Sequence, residues 1–167
     1  MNKDALVSVQ MLSDTIYLNP EDTNNDVNDI IFNKLKNKVE GVCINEGYVI
    51  KDSIELLNKT LGKLINIDNH SKIIYNVKYT AKLLYPVKGE VIDCYINSFN
   101  KMGAVAYVKL SDIIDDYSGD NNFSDSPFII IIPNQEIDLN INQKISVTIK
   151  AHRIKYNAPI INIVGII

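Results

Sequence analysis

From Val27 onward, apolar side chains recur at Ile30, Ile31, Leu35 and Val39. These offsets of three, four, eight and twelve are those of one helix face, so that face is expected to be buried and Asn33, Lys34 and Lys38 to be wet. Asn24 to Asp26 supply capping side chains, and Gly41 supplies a stop. Other segments alternate with period two. Ala5 to Leu12 predicts a first strand, closed by Leu18-Asn19-Pro20-Glu21, where proline ends the extended run. Val42 to Ile50 sets polar Asn45-Glu46-Gly47 between apolar arms, as in a hairpin or a bulged strand. Between Asn76 and Tyr85, residues Val77, Tyr79, Ala81, Leu83 and Tyr85 point one way while Lys78, Thr80 and Lys82 point the other.

Pro86 to Gly89 punctuates the chain, and beyond it no further amphipathic helix is predicted. A domain boundary is therefore expected there, giving residues 1–86 and 87–167. In the second part, Ile92, Cys94 and Ile96 oppose Asp93, Tyr95 and Asn97; Asn100 to Gly103 turns; Ala104 to Leu110 returns. Phe128 to Ile132 is a short apolar run between prolines, the mark of a buried strand. Ile145, Val147, Ile149 and Ala151 alternate with Ser146, Thr148 and Lys150, and Ile160 to Val164 makes the last strand. Five strands with a long connection after the third match the count of an OB barrel.

The 167 residues are 46% apolar and carry a net charge of −3. Such a chain can bury a core, and without a basic field it will not hold a duplex by its phosphates, so any nucleic-acid contact should be local and weak. No apolar run approaches the roughly 18 residues of a membrane span, and no signal-peptide pattern opens the chain, which predicts an intracellular protein without membrane contact. Cys43 and Cys94 lack the partners of a zinc site and read as reduced, partly buried thiols. His70 and His152 have no nucleophile motif beside them, and Gly62 in Leu61-Gly62-Lys63 is not part of a phosphate loop. Asp112, Asp115, Asp116, Asp120 and Asp125 match no EF-hand spacing and read as an acidic loop within Asp112 to Ser126. No catalytic residue, metal or cofactor is expected.

Several segments recur together in one family. Val39-Glu40-Gly41-Val42-Cys43, Gly47-Tyr48-Val49-Ile50, Val77-Lys78-Tyr79, and Tyr85-Pro86-Val87-Lys88-Gly89-Glu90-Val91-Ile92-Asp93 with Asn100-Lys101-Met102-Gly103 resemble, in order and spacing, the stalk subunit of multisubunit RNA polymerases. This family comprises the seventh subunit of eukaryotic RNA polymerase II and its archaeal counterpart. The resemblance implies an α+β chain with an N-terminal ferredoxin-like tip, a truncated RNP-like fold, and a C-terminal OB barrel. It implies a noncatalytic subunit whose tip docks on the largest polymerase subunits at the clamp, whose side pairs with a helical fourth-subunit partner, and whose barrel lies near exiting RNA. By the same resemblance, Leu18, Asn19 and Pro20, with Leu57, Leu61, Gly62, Leu64 and Ile65, lie in the two loops that enter the polymerase core, Leu18 to Glu21 and Asn58 to Ile65.

Departures from the family are a shorter 41–50 hairpin, a longer stretch before Val77, and Ala104-Val105 where an aromatic commonly follows the glycine. With 28 isoleucines and a single arginine, and a tail that stops at Ile167, the chain resembles a polymerase subunit of a large DNA virus, expected in the virus factory or virion. An AT-rich cellular eukaryote, with a nuclear protein, is the alternative. From the residues alone, Lys101, Lys109, Lys150, Arg153 and Lys155 with Tyr95, Tyr107 and Tyr156 can form a weak track for single-stranded RNA, cations meeting phosphates and rings stacking on bases. The same residues also read as a solvated barrel surface, since nine carboxylates lie between Glu90 and Asp138. A free-standing OB-fold RNA-binding factor of translation or RNA decay is the competing function.

Overall fold

The computed structural model describes residues 6–115, 117–133 and 140–167; Ala5, Asp116 and Asp138, invoked above, lie outside the described residues. In chain order the elements are β1 (Val7–Leu18), a 3-10 helix (Pro20–Asn24), α1 (Val27–Val39), β2 (Cys43–Ile44), β3 (Gly47–Val49), β4 (Glu55–Lys59), β5 (Lys63–Ile67), β6 (His70–Leu84), β7 (Val91–Asn100), β8 (Gly103–Tyr107), 3-10 turns at Leu110–Asp112 and Phe123–Asp125, β9 (Phe128–Pro133), β10 (Lys144–Arg153) and β11 (Ile161–Ile166). The fold is α+β and mostly strand. It divides into two compact units, one of residues 6–8 with Gly41–Tyr48 and the described part of Leu83–Ile167, the other of Val9–Glu40 and Val49–Lys82.

In the first unit, β7 to β11 close into a barrel in the order β10-β11-β9-β8-β7, with β10 pairing back onto β7. All pairs are antiparallel except β11 with β9, and the result is an OB-like barrel. The expected alternation holds where it matters: Ile92, Cys94 and Ile96 are buried, as are Phe128, Ile130, Ile132, Val147 and Ile149. Small Ala104 and Ala106 leave room for them, Ala106 lying directly across from Ile130. Buried Ser126 is satisfied, its Oγ accepting from the Val108 and Phe128 amides at 3.1 and 3.2 Å and donating to the Phe128 carbonyl at 2.8 Å.

The β2–β3 segment is a hairpin, with Cys43 opposite Tyr48 and Ile44 opposite Gly47. A side chain at Gly47, which has φ +140, would put a Cβ 2.5 Å from the Leu84 carbonyl oxygen. The hairpin bonds to the β10–β11 connection through Cys43 N–H to the Ala158 carbonyl and Asn157 N–H to the Cys43 carbonyl, both 2.8 Å. Burial pushes the Cys43 thiol up to about 11 and the Cys94 thiol up to about 12, so both are inert as nucleophiles at neutral pH.

In the second unit, α1 runs as expected and buries Ile31, Leu35 and Val39. Asp26 is its cap, accepting from the Asn28 and Asp29 amides at 2.9 and 3.4 Å. Lys38 pairs with Asp14 at 2.7 Å, and Lys36 pairs with Asp52. Strand β6 pairs with β5 from His70 to Ile74 and with β4 from Val77 to Thr80.

Three sequence expectations are corrected. The segment Asn58 to Ile65, read as a loop, is the end of β4, a three-residue break and the start of β5, the two strands pairing one after the other along β6. A bulge at Leu56/Asn58 breaks the alternation there and hides the strand. Tyr85, placed on one face with Val77, Tyr79, Ala81 and Leu83, is exposed while they are buried: β6 ends at Leu84, and Leu83 and Leu84 are both buried. Ala151, placed on one face with Ile145, Val147 and Ile149, faces out, because a register shift between Ile149 and Ala151 turns the strand over and brings His152 inward instead.

Candidate functional site

Tyr95 on β7 and Tyr107 on β8 are direct cross-strand partners, and their rings lie 5.9 Å apart. Two residues beyond Tyr107, Lys109 leaves the strand and places its Nζ 3.9 Å from the centre of the Tyr95 ring. The Tyr95 hydroxyl donates to Asp112 Oδ2 at 2.9 Å. Lys144, opposite Tyr95 on β10, lies 3.6 Å from Asp112 and 3.7 Å from Asp93, and Ser146 Oγ donates to Asp93 Oδ1 at 2.7 Å. Partial burial and then the Asp112 carboxylate hold the Tyr95 hydroxyl above the ordinary tyrosine range, while Asp112 does the same for the Lys144 ammonium. Tyr107 is buried and meets Phe123 edge-on at 5.9 Å. The cluster is therefore built, but its cations, carboxylates and rings are matched to one another.

Of the eight track residues, the structure brings together Tyr95, Tyr107 and Lys109. Lys101 sits in the β7–β8 turn, at the far end of β7. Lys150, Arg153, Lys155 and Tyr156 sit past the opposite end. The register puts Thr148 of β10 opposite Val91, the first residue of β7, so all that follows Thr148 runs beyond it. These two groups are separated by the 10 residues of β7, up to roughly 33 Å of strand. The sequence reading missed Lys144 and Asp112 as members of the Tyr95 cluster; only strand register relates them, and no local spacing could have shown it.

The segments expected to dock are all in the second unit. Leu18 is completely buried and anchors the end of β1 rather than offering a side chain to a partner. Asn19 accepts from the Lys72 ammonium, its backbone N–H donates to Asp22 Oδ2 at 2.9 Å, and Pro20 starts the 3-10 helix. The hairpin whose one arm is β4 followed by β5 and whose other arm is β6 is different. Leu57, Leu61 and Leu64 are 50%, 94% and 65% exposed, with Ile65 half-buried. Gly62 packs against the hydroxyl end of Tyr75, where a Cβ would come within 2.7 Å of Cζ and Oη and 2.8 Å of the Ile73 side chain. That contact seats the break between β4 and β5, where Leu61 stands out into solvent. Three exposed leucines within eight residues of one arm are more than scattered surface apolar residues.

Among the described residues no His, Cys, Asp and Glu group could hold a metal ion, and no helix is long and apolar enough to cross a membrane. His152 meets Tyr85 edge-on at 5.1 Å.

These features define a class: an α+β protein in which an OB-like barrel accompanies a unit that presents an apolar hairpin. No family model matches the chain. It is similar to the "DNA-directed RNA polymerase II subunit rpb7" of three organisms. Identity to the Dictyostelium discoideum protein is 29% over 97 residues, 57% of this chain and 54% of that protein. To the Schizosaccharomyces pombe protein it is 34% over 100 residues, 58% and 56% of the two chains, and to the Glycine max protein 30% over 98 residues, 58% and 53%. The chain spans about half the length of the curated relatives it matches. The resemblance to the seventh subunit of RNA polymerase II thus holds.

Proposed function

We propose that this chain is a noncatalytic stalk subunit of a DNA-directed RNA polymerase. The observation that carries the reading is its similarity to three proteins named as RNA polymerase II subunits. In this reading residues 1–86 act as a ferredoxin-like tip and residues 87–167 as the OB barrel. The tip docks on the largest polymerase subunits at the clamp through Leu57, Leu61, Leu64 and Ile65, a fourth-subunit-like helical partner joins the stalk, and the barrel gives nascent RNA a weak landing surface. Binding of the tip biases the clamp only by its differential affinity for the open and closed states. The polymerase is that of a large DNA virus, and the chain works in the virus factory or virion. Exposure of the β4–β5 leucines supports the docking role, since burying a leucine side chain is worth about 1.5–3 kcal/mol.

A tagged pull-down at moderate salt, with mass spectrometry of stoichiometric partners, tests the reading. The two largest polymerase subunits should copurify and should be lost from the Leu61→Asp/Leu64→Asp variant, whose own fold stays intact by circular dichroism. Copurification retained by that variant rejects hairpin docking. Recovery of RNA or ribosomal factors alone rejects the stalk and favours the free-standing RNA-binding factor.

A further inference from the structure

The barrel carries two clusters of cations and rings, and they differ in what is free. At the Tyr95 end, Lys109 covers a ring face at 3.9 Å, Asp112 takes the hydroxyl at 2.9 Å, and Lys144 is held between Asp112 and Asp93. A base cannot stack on Tyr95 without displacing Lys109, and a phosphate approaching Lys144 meets two carboxylates. At the other end lies a second cluster that includes Lys88, a residue the sequence reading did not single out. Gly89 N–H donates to the Ile149 carbonyl at 2.8 Å and Ile149 N–H to the Glu90 carbonyl at 2.9 Å. This pairing sets Lys88 about one strand spacing, roughly 5 Å, from the β10 backbone beside Lys150. Arg153 ends β10, and Lys155 and Tyr156 follow in the connection that Cys43 pins through Asn157 and Ala158. Among the described residues, Lys88, Lys150, Arg153 and Lys155 have no carboxylate partner. All four are exposed, and Tyr156 is 64% exposed. The nearest carboxylate along the chain is that of Glu90, also exposed.

We infer that single-stranded RNA is held at the barrel end formed by Lys88, Lys150, Arg153, Lys155 and Tyr156, and that the Tyr95–Lys109–Asp112–Lys144 cluster is a structural brace. The inference rests on the reading that the barrel meets RNA and says where. Four cations on neighbouring backbone, without a carboxylate partner among the described residues, suit the phosphates of a few successive nucleotides, and one exposed ring suits a single unpaired base. The bulge at Ile149/Ala151 serves this directly: it puts Ala151 outside between Lys150 and Arg153, keeping that stretch of surface low.

Fluorescence anisotropy of the full chain with a labelled eight-nucleotide oligouridine tests it. With four phosphate contacts, binding should weaken roughly 50-fold between 50 and 200 mM salt. Replacing Lys88, Lys150, Arg153 and Lys155 together by alanine should lower affinity at least about tenfold at low salt and flatten the salt dependence. Tyr156→Ala should cost about fivefold or more with the salt slope unchanged, whereas Lys109→Ala should stay within about twofold. A loss in Lys109→Ala as large as that of the fourfold variant overturns the inference and leaves barrel–RNA contact standing. No binding by the unaltered chain at low salt overturns both, and the pull-down above reads separately whether the stalk assignment fails.

Discussion

On β7 and β9 of the barrel, Ile92, Cys94, Ile96, Phe128, Ile130 and Ile132 all point into a closed interior, whereas on β4, β5 and the break between them Leu57, Leu61 and Leu64 point into water. The difference follows from pairing. Each barrel strand has two neighbours, and β10 on β7 seals the ring, so the inner face has no exit to solvent. Strands β4 and β5 have β6 as their partner among the described residues, and nothing described covers their leucines. Apolar side chains in the first place hold the fold; in the second they are available to something else.

The sharpest break in this comparison is a truncation inside the barrel. Ile130 is completely buried between Ala106 on β8 and Ile163 on β11. Ala106 is too small to refill the space, so Ile130→Ala should lose about 2–5 kcal/mol in chemical denaturation. A loss below about 1 kcal/mol would mean the barrel interior is not close-packed.

The contrast also explains what could be read in the sequence. Barrel strands and α1 obey one period each, so Ile92/Cys94/Ile96 and Ile31/Leu35/Val39 announce themselves. Irregularities do not. The bulge between Leu56 and Asn58 concealed β4, and the one at Ile149/Ala151 exchanged Ala151 with His152. Site legibility followed the same division. Cations and tyrosines were visible as residue types, but whether each is free depends on register: Lys144 on β10 meets Asp112 of the 3-10 turn after β8, and backbone hydrogen bonds of Gly89 and Glu90 to Ile149 set Lys88 beside Lys150. Leu18 looked like a loop residue because Asn19-Pro20 follows it, yet it is the last inward side chain of β1.

A smaller effect is expected at the start of α1, in the unit that carries the hairpin. Asp26 satisfies the Asn28 and Asp29 amides, and Asp26→Ala should cost about 1 kcal/mol. Asp26→Asn keeps an acceptor at the cap and should recover most of that loss. Equal losses in the two variants would show that the charge, not the cap geometry, matters.

The smallest stability change is expected where the side chain is most exposed. Leu61 is 94% exposed, so Leu61→Ala removes almost no buried surface and should shift stability by no more than about 0.5 kcal/mol. The same substitution takes a large apolar group off the proposed docking surface, so copurification with polymerase should fall although the chain is as stable as before. Ile130→Ala inverts the pattern, losing stability without touching that surface. If Leu61→Ala were to destabilise the chain like Ile130→Ala, the hairpin would be packing against its own chain in solution. The leucines would then belong to the fold and not to a partner.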